Sequence, residues 1–333
     1  MPKLSVLMPV YNGQQHLAGA IESVLNQDFA DFEFLVVDDA STDNSRAILE
    51  AAAGNDSRIR LLRHDKNQGV AAALNTGIQA VRGEYVARQD SDDISLPGRF
   101  KAQTEFLDAH PEVGVVCGDY VDVNDHGKII ARHSPPRTNH LIAWHLCVGH
   151  NPIPHPLVMF RTAVVRDAGG YDPAFACEDY ELWCRLIGKT AMAAPAIPGL
   201  QRLYHRNQIS RVNSRRLYDS AMQTLLQTGK RFLDEELSVA DRQALLSFTN
   251  RQNGCSPGFL EAAVPLQARF ACALVKKFTL NGTEQEEMFR EMAALIAAYP
   301  ASGALAKDLD GRDLSRELWQ RITRKIWRLF GRS

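Results

Sequence analysis

The stretch Ala87–Asp93, ARQDSDD, sets three carboxylates, Asp90, Asp92 and Asp93, directly after the mostly apolar EYVA. Like charges this close raise one another's energy unless water or a cation screens them. Anionic oxygens in such a group suit Mg²⁺ or Mn²⁺, which take one or two carboxylates together with substrate phosphates. In an extended segment residues i and i+2 point the same way, so Asp90 and Asp92 are expected to face a common spot. A solvated acidic loop, or the cap of the helix that DDISLPGRF precedes, fits the same residues, because short motifs recur by chance. The stretch alone leaves both readings open.

Two other segments end in the same kind of chemistry. FEFLVVDD (32–39) closes on Asp38 and Asp39, followed by Ser41, Thr42 and Asp43. LSVLMPV (4–10) runs into Pro9, Val10, Tyr11 and Asn12. Asp38 also reads as a turn acid, Asp43 as a helix cap and Tyr11 as packing at a strand end.

The intervening sequence must position these ends. Leu17, Ile21, Val24 and Leu25 repeat at helical spacing, and STDNSRAILEAAA opens as a helix N-terminus does. IRLLRH (59–64) and EYVARQD (84–90) read as strands, and VAAALNTGIQAVRG as a helix closed by Gly83. Strand alternating with helix predicts an α/β fold, a doubly wound, mostly parallel sheet covered on both faces. In such sheets ligands sit beyond the carboxyl ends of the strands, where strand order reverses. An order 3-2-1-4 would bring the three polar ends to one crevice.

From about 111 to 210 the pattern is less regular. VGVVCGDYVDV reads as a strand with GKIIARH as its hairpin partner, NPIPHPLVMF as a Pro-rich approach to another, and EDYELWCRLIG as a helix. Beyond about 215 the pattern is helical. The expected organisation is 1–212 as one α/β domain in two halves, 1–110 and 111–212, then 213–333 as a helical C-terminal region.

With 45% hydrophobic and 23% charged residues in 333, and a net charge of −1, the chain reads as globular, without the basic excess of a nucleic-acid binder. Its six cysteines form no CxxC pair, which argues against a zinc site or a redox dithiol and for a reducing compartment. MPKLSVLMPV reads as a first strand and not as a signal peptide. The expected location is cytoplasmic.

LSVLMPVYNGQQHLAGAIESVLNQ, FEFLVVDDASTDNS, NQGVAAALNTGIQAVRGEYVARQDSDD and GGYDPAFACEDYELWCRL together resemble the family 2 glycosyltransferases, in the family's order through about residues 3–210. That resemblance implies the GT-A fold of nucleotide-diphospho-sugar transferases and an inverting transfer. It implies a divalent metal, Mn²⁺ or Mg²⁺, a nucleotide-sugar donor, commonly a UDP-sugar, and a saccharide or lipid-linked saccharide acceptor in envelope polysaccharide or lipopolysaccharide synthesis. Pro9, Val10, Tyr11 and Asn12 then correspond to the nucleobase wall and Asp39 to the acid on the base. Asp90 and Asp92 correspond to the DxD pair on ribose and metal, with Asp93 beside them. Asp179 matches the general base, and Glu178 would orient acceptor or helix, although both also fit a helix N-terminal charge pair. His155 sits where the family often has an acceptor-side His, although a His between two prolines also reads as structural. His205 and Arg206 resemble a basic segment that approaches the diphosphate. One departure stands out. The family often has Arg before Asn ahead of the DxD strand, and here Leu74 precedes Asn75. Lys66 or Arg88 would then replace that contact.

LSRELWQRITRKIWRLFGRS (314–333) is basic and amphipathic. It fits a helix lying on an anionic membrane face, which would make the protein peripheral on the inner side, and equally a helix docked on the domain. Two other functions are weaker. A nucleotidyltransferase or an oxidoreductase calls for a Gly-rich loop after the first strand, and PVYNGQQH has a single Gly. A catalytically weak sugar-nucleotide-binding module is argued against by intact Asp90, Asp92 and Asp179.

Overall fold

The apolar runs Leu4–Val10 and Phe32–Asp38 form β1 and β2, parallel neighbours in register from Leu4 opposite Phe32 to Val10 opposite Asp38. Every residue of β2 is buried, as expected of a central strand covered on both faces. The computed structural model describes residues 1–204, 214–249 and 257–297.

Helix α1 (Leu17–Leu25) turns Leu17, Ala20, Ile21 and Val24 onto the sheet. Then follow α2 (Ser45–Asn55), β3 (Ile59–Arg63), α3 (Val70–Ala80), β4 (Tyr85–Arg88), the short β5 (Ile94–Ser95) and α4 (Arg99–Ala109). The seven-stranded sheet runs β10-β6-β9-β4-β1-β2-β3, so the expected order 3-2-1-4 is present. Its remaining members are β6 (Val113–Val116), β9 (Met159–Arg161) and β10 (Ala191–Ala193). β9 lies antiparallel between β4 and β6, which makes the sheet mixed.

Three local expectations are corrected. Helix α3 stops at Ala80, with Val81 already extended, so Gly83 is no cap. It is needed for close approach, since a Cβ there would lie 2.5 Å from the Ser5 nitrogen. VGVVCGDYVDV is two strands and not one. It leaves the large sheet after Val116 and enters a second, four-stranded sheet as β7 (Tyr120–Val123). The crossing passes Gly118, where a Cβ would come within 2.9 Å of Ile197. The second sheet runs β5-β11-β7-β8, with β8 (Ile129–His133) the expected hairpin partner and β11 (Leu200–Leu203) absent from the sequence reading. Finally, β4 ends at Arg88, two residues short of Asp90.

The remaining helices are α5 (Asn139–Cys147), α6 (Thr162–Asp167), α7 (Glu178–Leu186), α8 (Ser214–Leu233), α9 (Val239–Thr249), α10 (Pro257–Phe278) and α11 (Gly282–Ala297), with a 3₁₀ turn at His155–Leu157. The chain divides into two compact units, residues 1–142 with 152–220, and residues 143–151 with the described residues from 221 onward. The core of the first unit joins Leu4, Val6, Met8, Phe34, Val36 and Tyr85 of the sheet to Leu17, Ile21, Val24, Phe100 and Leu107 of the helices. Each such side chain contributes roughly 1.5–3 kcal/mol by leaving water. The boundary expected at 212–213, and His205 and Arg206, fall in 205–213, outside the described residues, as does 314–333.

Candidate active site

The loop after β1 and the loop after β2 are zipped together. The Asn12 N–H donates to Ser41 Oγ at 3.0 Å, Gly13 N–H to Ser45 Oγ at 2.9 Å and Gln14 N–H to Asp43 Oδ2 at 3.0 Å. In return the Thr42 N–H donates to Asn12 Oδ1 at 2.8 Å. Asn12 and Ala40 both adopt left-handed backbone, φ 52° and 61°, where the chain doubles back. Asn tolerates that conformation better than most residues. Asn12 thus spends its carboxamide on the neighbouring loop. Tyr11, next to it, is 50% exposed and lies open at the crevice edge.

Asp39 is buried and ties in the third loop. It receives His64 Nδ1 at 2.6 Å, Gln68 N–H at 2.9 Å and Gly69 N–H at 2.8 Å. His64 Nε2 continues to Thr76 Oγ1 at 2.9 Å. Lys66 is exposed in the same 64–69 loop.

The ARQDSDD segment meets the first loop, because a Cβ on Gly13 would lie 3.0 Å from Ser91 Oγ. The ends of β1, β2 and β4 therefore share one crevice. The carboxylates of Asp90, Asp92 and Asp93 converge, with one oxygen of each within 4.8 Å of the others. They do so through a turn at Ser91–Asp92 and not through the alternation of an extended strand. The turn is what adds Asp93 to the expected pair. Asp93 Oδ1 accepts the Leu203 N–H of β11 at 2.9 Å, and its Oδ2 is buried without a hydrogen-bond partner. Burial, then the charges of Asp90 and Asp92, push Asp93 well above the usual carboxylate range. Clustered oxygen donors with one buried orphan oxygen fit a hard divalent cation.

Arg99, which the sequence reading missed, holds this turn from beneath. Fully buried, it donates through Nη1 to Gln89 Oε1 at 3.0 Å and Ser95 Oγ at 2.8 Å, and through Nη2 to the Arg88 carbonyl at 2.8 Å. Gln89 Nε2 in turn donates to the Asp93 carbonyl at 2.8 Å. Burial lowers Arg99 to about 9, which leaves it a cation at neutral pH. Its only sequence signal was its place at the start of the helix after DSDDISLPG.

Arg88 links the two halves of the site. Its guanidinium is buried and pairs with Asp90. Burial opposes the charge, yet Asp90 outweighs it and holds Arg88 above the ordinary arginine range, with Tyr171 and Glu178 adding to the effect. Arg88 is thus paired with Asp90, while its Nε is buried without a hydrogen-bond partner. Near it stand Glu178, in the first turn of α7 with Asp179 next along the helix, and His155 on the 3₁₀ turn. His155 Nε2 meets the Tyr171 hydroxyl at 2.9 Å, and its Nδ1 lies 3.6 Å from Glu178 Oε1. Burial, reinforced by Arg88, holds His155 well below the usual histidine range. Burial, then the charge of Asp179, raises Glu178 to about 8. At neutral pH a protonated Glu178 therefore faces a neutral His155. Asp179 is the less buried acid, and its Oδ1 accepts the Tyr180 N–H at 2.7 Å. A buried protonated acid beside a more exposed carboxylate is a pattern of acid–base sites.

The site thus joins the bonded loops after β1 and β2, three converging acids and a separate acid pair at a helix start. It suits transfer of a group from a metal-bound phosphate ester to a hydroxyl. The model of Glycosyl transferase family 2 matches residues 5–166. EpsE of Bacillus subtilis (strain 168) is 36% identical over 192 residues, 56% of this chain and 67% of its own. The amylovoran biosynthesis glycosyltransferase AmsE of Erwinia amylovora is 31% identical over 185 residues, 55% of this chain and 69% of its own. The crystal structure of S. aureus TarS 1–349 in complex with UDP-GlcNAc superposes with a TM-score of 0.58 at 18% identity, covering 96% of this chain and 92% of that one. These likenesses bear out the GT-A fold expected from the sequence. The chain belongs to the family 2 glycosyltransferases.

Proposed function

We propose that this glycosyltransferase inverts the anomeric carbon as it moves a hexosyl or related sugar from a nucleoside-diphosphate donor, a UDP-sugar, to an acceptor hydroxyl. The observation that carries this reading is the convergence of Asp90, Asp92 and Asp93, with the buried Arg88 paired to Asp90 and also facing Glu178, the neighbour of Asp179. Support for the donor class comes from TarS, whose structures hold UDP-GlcNAc and UDP, and from PcManGT of Pyrobaculum calidifontis, bound to GDP-Man and Mn²⁺, at a TM-score of 0.50.

In this reading the nucleobase lies against Pro9, Val10 and Tyr11, with Asp39 and Asn12 fixing the loops around it. Lys66 approaches the phosphates from the third loop. Asp90 takes the ribose, and Asp92 with Asp93 would hold Mn²⁺ or Mg²⁺. A bound divalent cation supplies Lewis-acid stabilisation of the diphosphate charge that grows as the sugar leaves. Asp179 takes the acceptor proton while the acceptor oxygen forms its bond to the anomeric carbon from the face opposite the breaking bond to phosphate. The nucleoside diphosphate departs, and the configuration inverts. Glu178, protonated and set by His155, holds the start of α7 and with it Asp179. The acceptor is a saccharide or a lipid-linked saccharide of an envelope polysaccharide, in line with AmsE's part in amylovoran biosynthesis. Among the described residues no helix is long and apolar enough to cross a membrane. We place the enzyme on the cytoplasmic side, with 314–333 as its membrane contact.

A thermal-shift panel of UDP-, GDP- and dTDP-sugars, with and without Mn²⁺, tests the donor assignment. Stabilisation by UDP-sugars that needs Mn²⁺ supports it. Equal shifts without metal, or none with any nucleotide, overturn it. Proton NMR of the product's anomeric configuration tests inversion.

A further inference from the structure

Arg88 closes β4 and sets a buried guanidinium against acids from two parts of the chain, Asp90 and Glu178. The charge is matched, but the hydrogen bonds are not. Nη1 pairs with Asp90 without hydrogen-bond alignment, and both Nη1 and Nε are buried with no hydrogen-bond partner. A buried donor left unmet carries its full desolvation penalty, larger for a charged group. Asp90 is the more open member of the pair, with 34% of its side chain exposed against 5% for Arg88.

Glu178 supplies what Arg88 lacks. Its buried carboxyl keeps its proton at neutral pH, and a protonated carboxyl still has an oxygen that accepts. His155 Nδ1 lies 3.6 Å from Glu178 Oε1, beyond hydrogen-bond distance, and His155 Nε2 is taken up by Tyr171. The Arg88 backbone is held on both sides. Its N–H donates to the Val158 carbonyl at 2.9 Å and its carbonyl accepts from Arg99 Nη2 at 2.8 Å, so a change of partner is left to the side chain. A buried guanidinium with idle donors beside a buried acceptor is an arrangement that a second state can complete.

We propose that Arg88 changes partner when the donor binds: as Asp90 turns to the donor's ribose, the Arg88 guanidinium moves onto the Glu178 carboxyl and fixes the first turn of α7, with Asp179 in it. Arg88 is then a positioning residue that ties the acid pair to occupancy of the donor site. The inference rests on the role proposed above for Asp90 toward the ribose.

Cys177 supplies a local readout. It caps α7 immediately before Glu178 and is neither buried nor fully exposed. Its alkylation by iodoacetamide is followed by peptide mass spectrometry on the full chain, with and without UDP or GDP in the presence of Mn²⁺. Calorimetry measures nucleotide binding in the same proteins, and melting curves verify their folding. Bound nucleotide is expected to slow Cys177 modification about fivefold, the worth of one hydrogen bond. R88M removes the donors but keeps an apolar stem, and should bind nucleotide with no change in the Cys177 rate. E178A should behave in the same way, whereas E178Q keeps the carbonyl acceptor and should respond as the parent chain does. Bound nucleotide that leaves Cys177 unchanged in the parent, slowing that persists in R88M or E178A, or a response missing from E178Q overturns the change of partner and leaves the donor assignment standing. Nucleotide affinity lost in R88M would make Arg88 a donor contact and overturns it too. No nucleotide binding to the parent overturns both this proposal and the donor assignment.

Discussion

Asn75 grips the backbone of Tyr171 with both ends of its carboxamide. Nδ2 donates to the Tyr171 carbonyl at 2.7 Å, and Oδ1 accepts the Tyr171 N–H at 2.8 Å. Helix α3 thereby fixes a residue 96 positions further along the chain. The fit needs glycine next door. Gly170 has φ 75°, and a Cβ there would sit 2.5 Å from Asn75 Oδ1. Tyr171 then sets His155, which faces Glu178 beside Asp179. The Asn75 that follows the departing Leu74 is thus a positioning residue for the acid pair. Leu74 itself is fully buried in the core, where an arginine would have to pair or leave.

Asn75→Ala leaves a partly buried N–H and C=O without their partners, at about 1–3 kcal/mol each. The expected result is a loss of roughly 2–6 kcal/mol in urea unfolding, with turnover reduced about tenfold and UDP affinity unchanged. A variant of unaltered stability, or one that loses UDP affinity first, would show that the clamp does not serve the acid pair.

Asp179→Asn keeps size and hydrogen bonding but removes the proton acceptor. A positioned general base contributes about 10² to 10⁴ in rate, so turnover should fall by that factor while calorimetric nucleotide affinity holds. Glu178→Gln should cost far less, since glutamine mimics the protonated acid. If the two variants exchanged these phenotypes, the base would be Glu178.

The sheet was legible because its signals are local. Buried β-branched runs and helical periodicity disclosed β1 to β4, while their order, on which the meeting of Asp39 and Asp90–Asp93 depends, was assumed from the fold class and found in the sheet. The second sheet was not legible. β11 is four residues long, and its pairing with β7 and β5 is set by contacts distant in sequence. The candidate acids were visible by type and spacing. What holds them was hidden, because Arg99, Gln89 and Tyr171 act through buried hydrogen bonds that leave no periodic trace. The extended-chain argument for Asp90 and Asp92 reached the right neighbours by the wrong geometry, since a turn brings them together.

Metal binding should appear as opposite effects of one substitution with and without the ion. Asp93→Asn keeps an acceptor for the Leu203 N–H and removes a carboxylate that burial and Asp90 disfavour. In EDTA this variant should melt higher than the parent chain. With Mn²⁺ at about 100 times its Kd, the parent should gain roughly 2.7 kcal/mol. That is roughly 4 °C for a chain of this size. Asp92→Ala and Asp93→Asn should each lose most of that gain. Equal Mn²⁺ shifts in all three proteins would remove the metal from this site.

The raised Glu178 predicts how stability depends on pH. Its carboxyl is near 4.5 in the unfolded chain and about 8 in the folded one, because burial and then Asp179 oppose its charge. Between these values the folded protein holds a proton that the unfolded chain has released, so stability falls as pH rises. The contribution is fully present below about 4.5 and is lost as pH passes through about 8. Glu178→Gln is neutral throughout and lacks this slope. In metal-free buffer the two proteins should melt alike near pH 4.5, with the variant increasingly ahead up to about pH 8 and the gap level beyond. His155, held low by burial, tilts the profile the other way below the ordinary histidine range, since there the unfolded chain binds the extra proton. That slope is common to both proteins and drops out of their difference. With each pKa unit worth about 1.4 kcal/mol, the gap should reach several degrees. Parallel melting profiles from pH 5 to 9 would mean that Glu178 is ionised in the folded protein, and Asp179 would then stand beside a second negative charge instead of a proton donor.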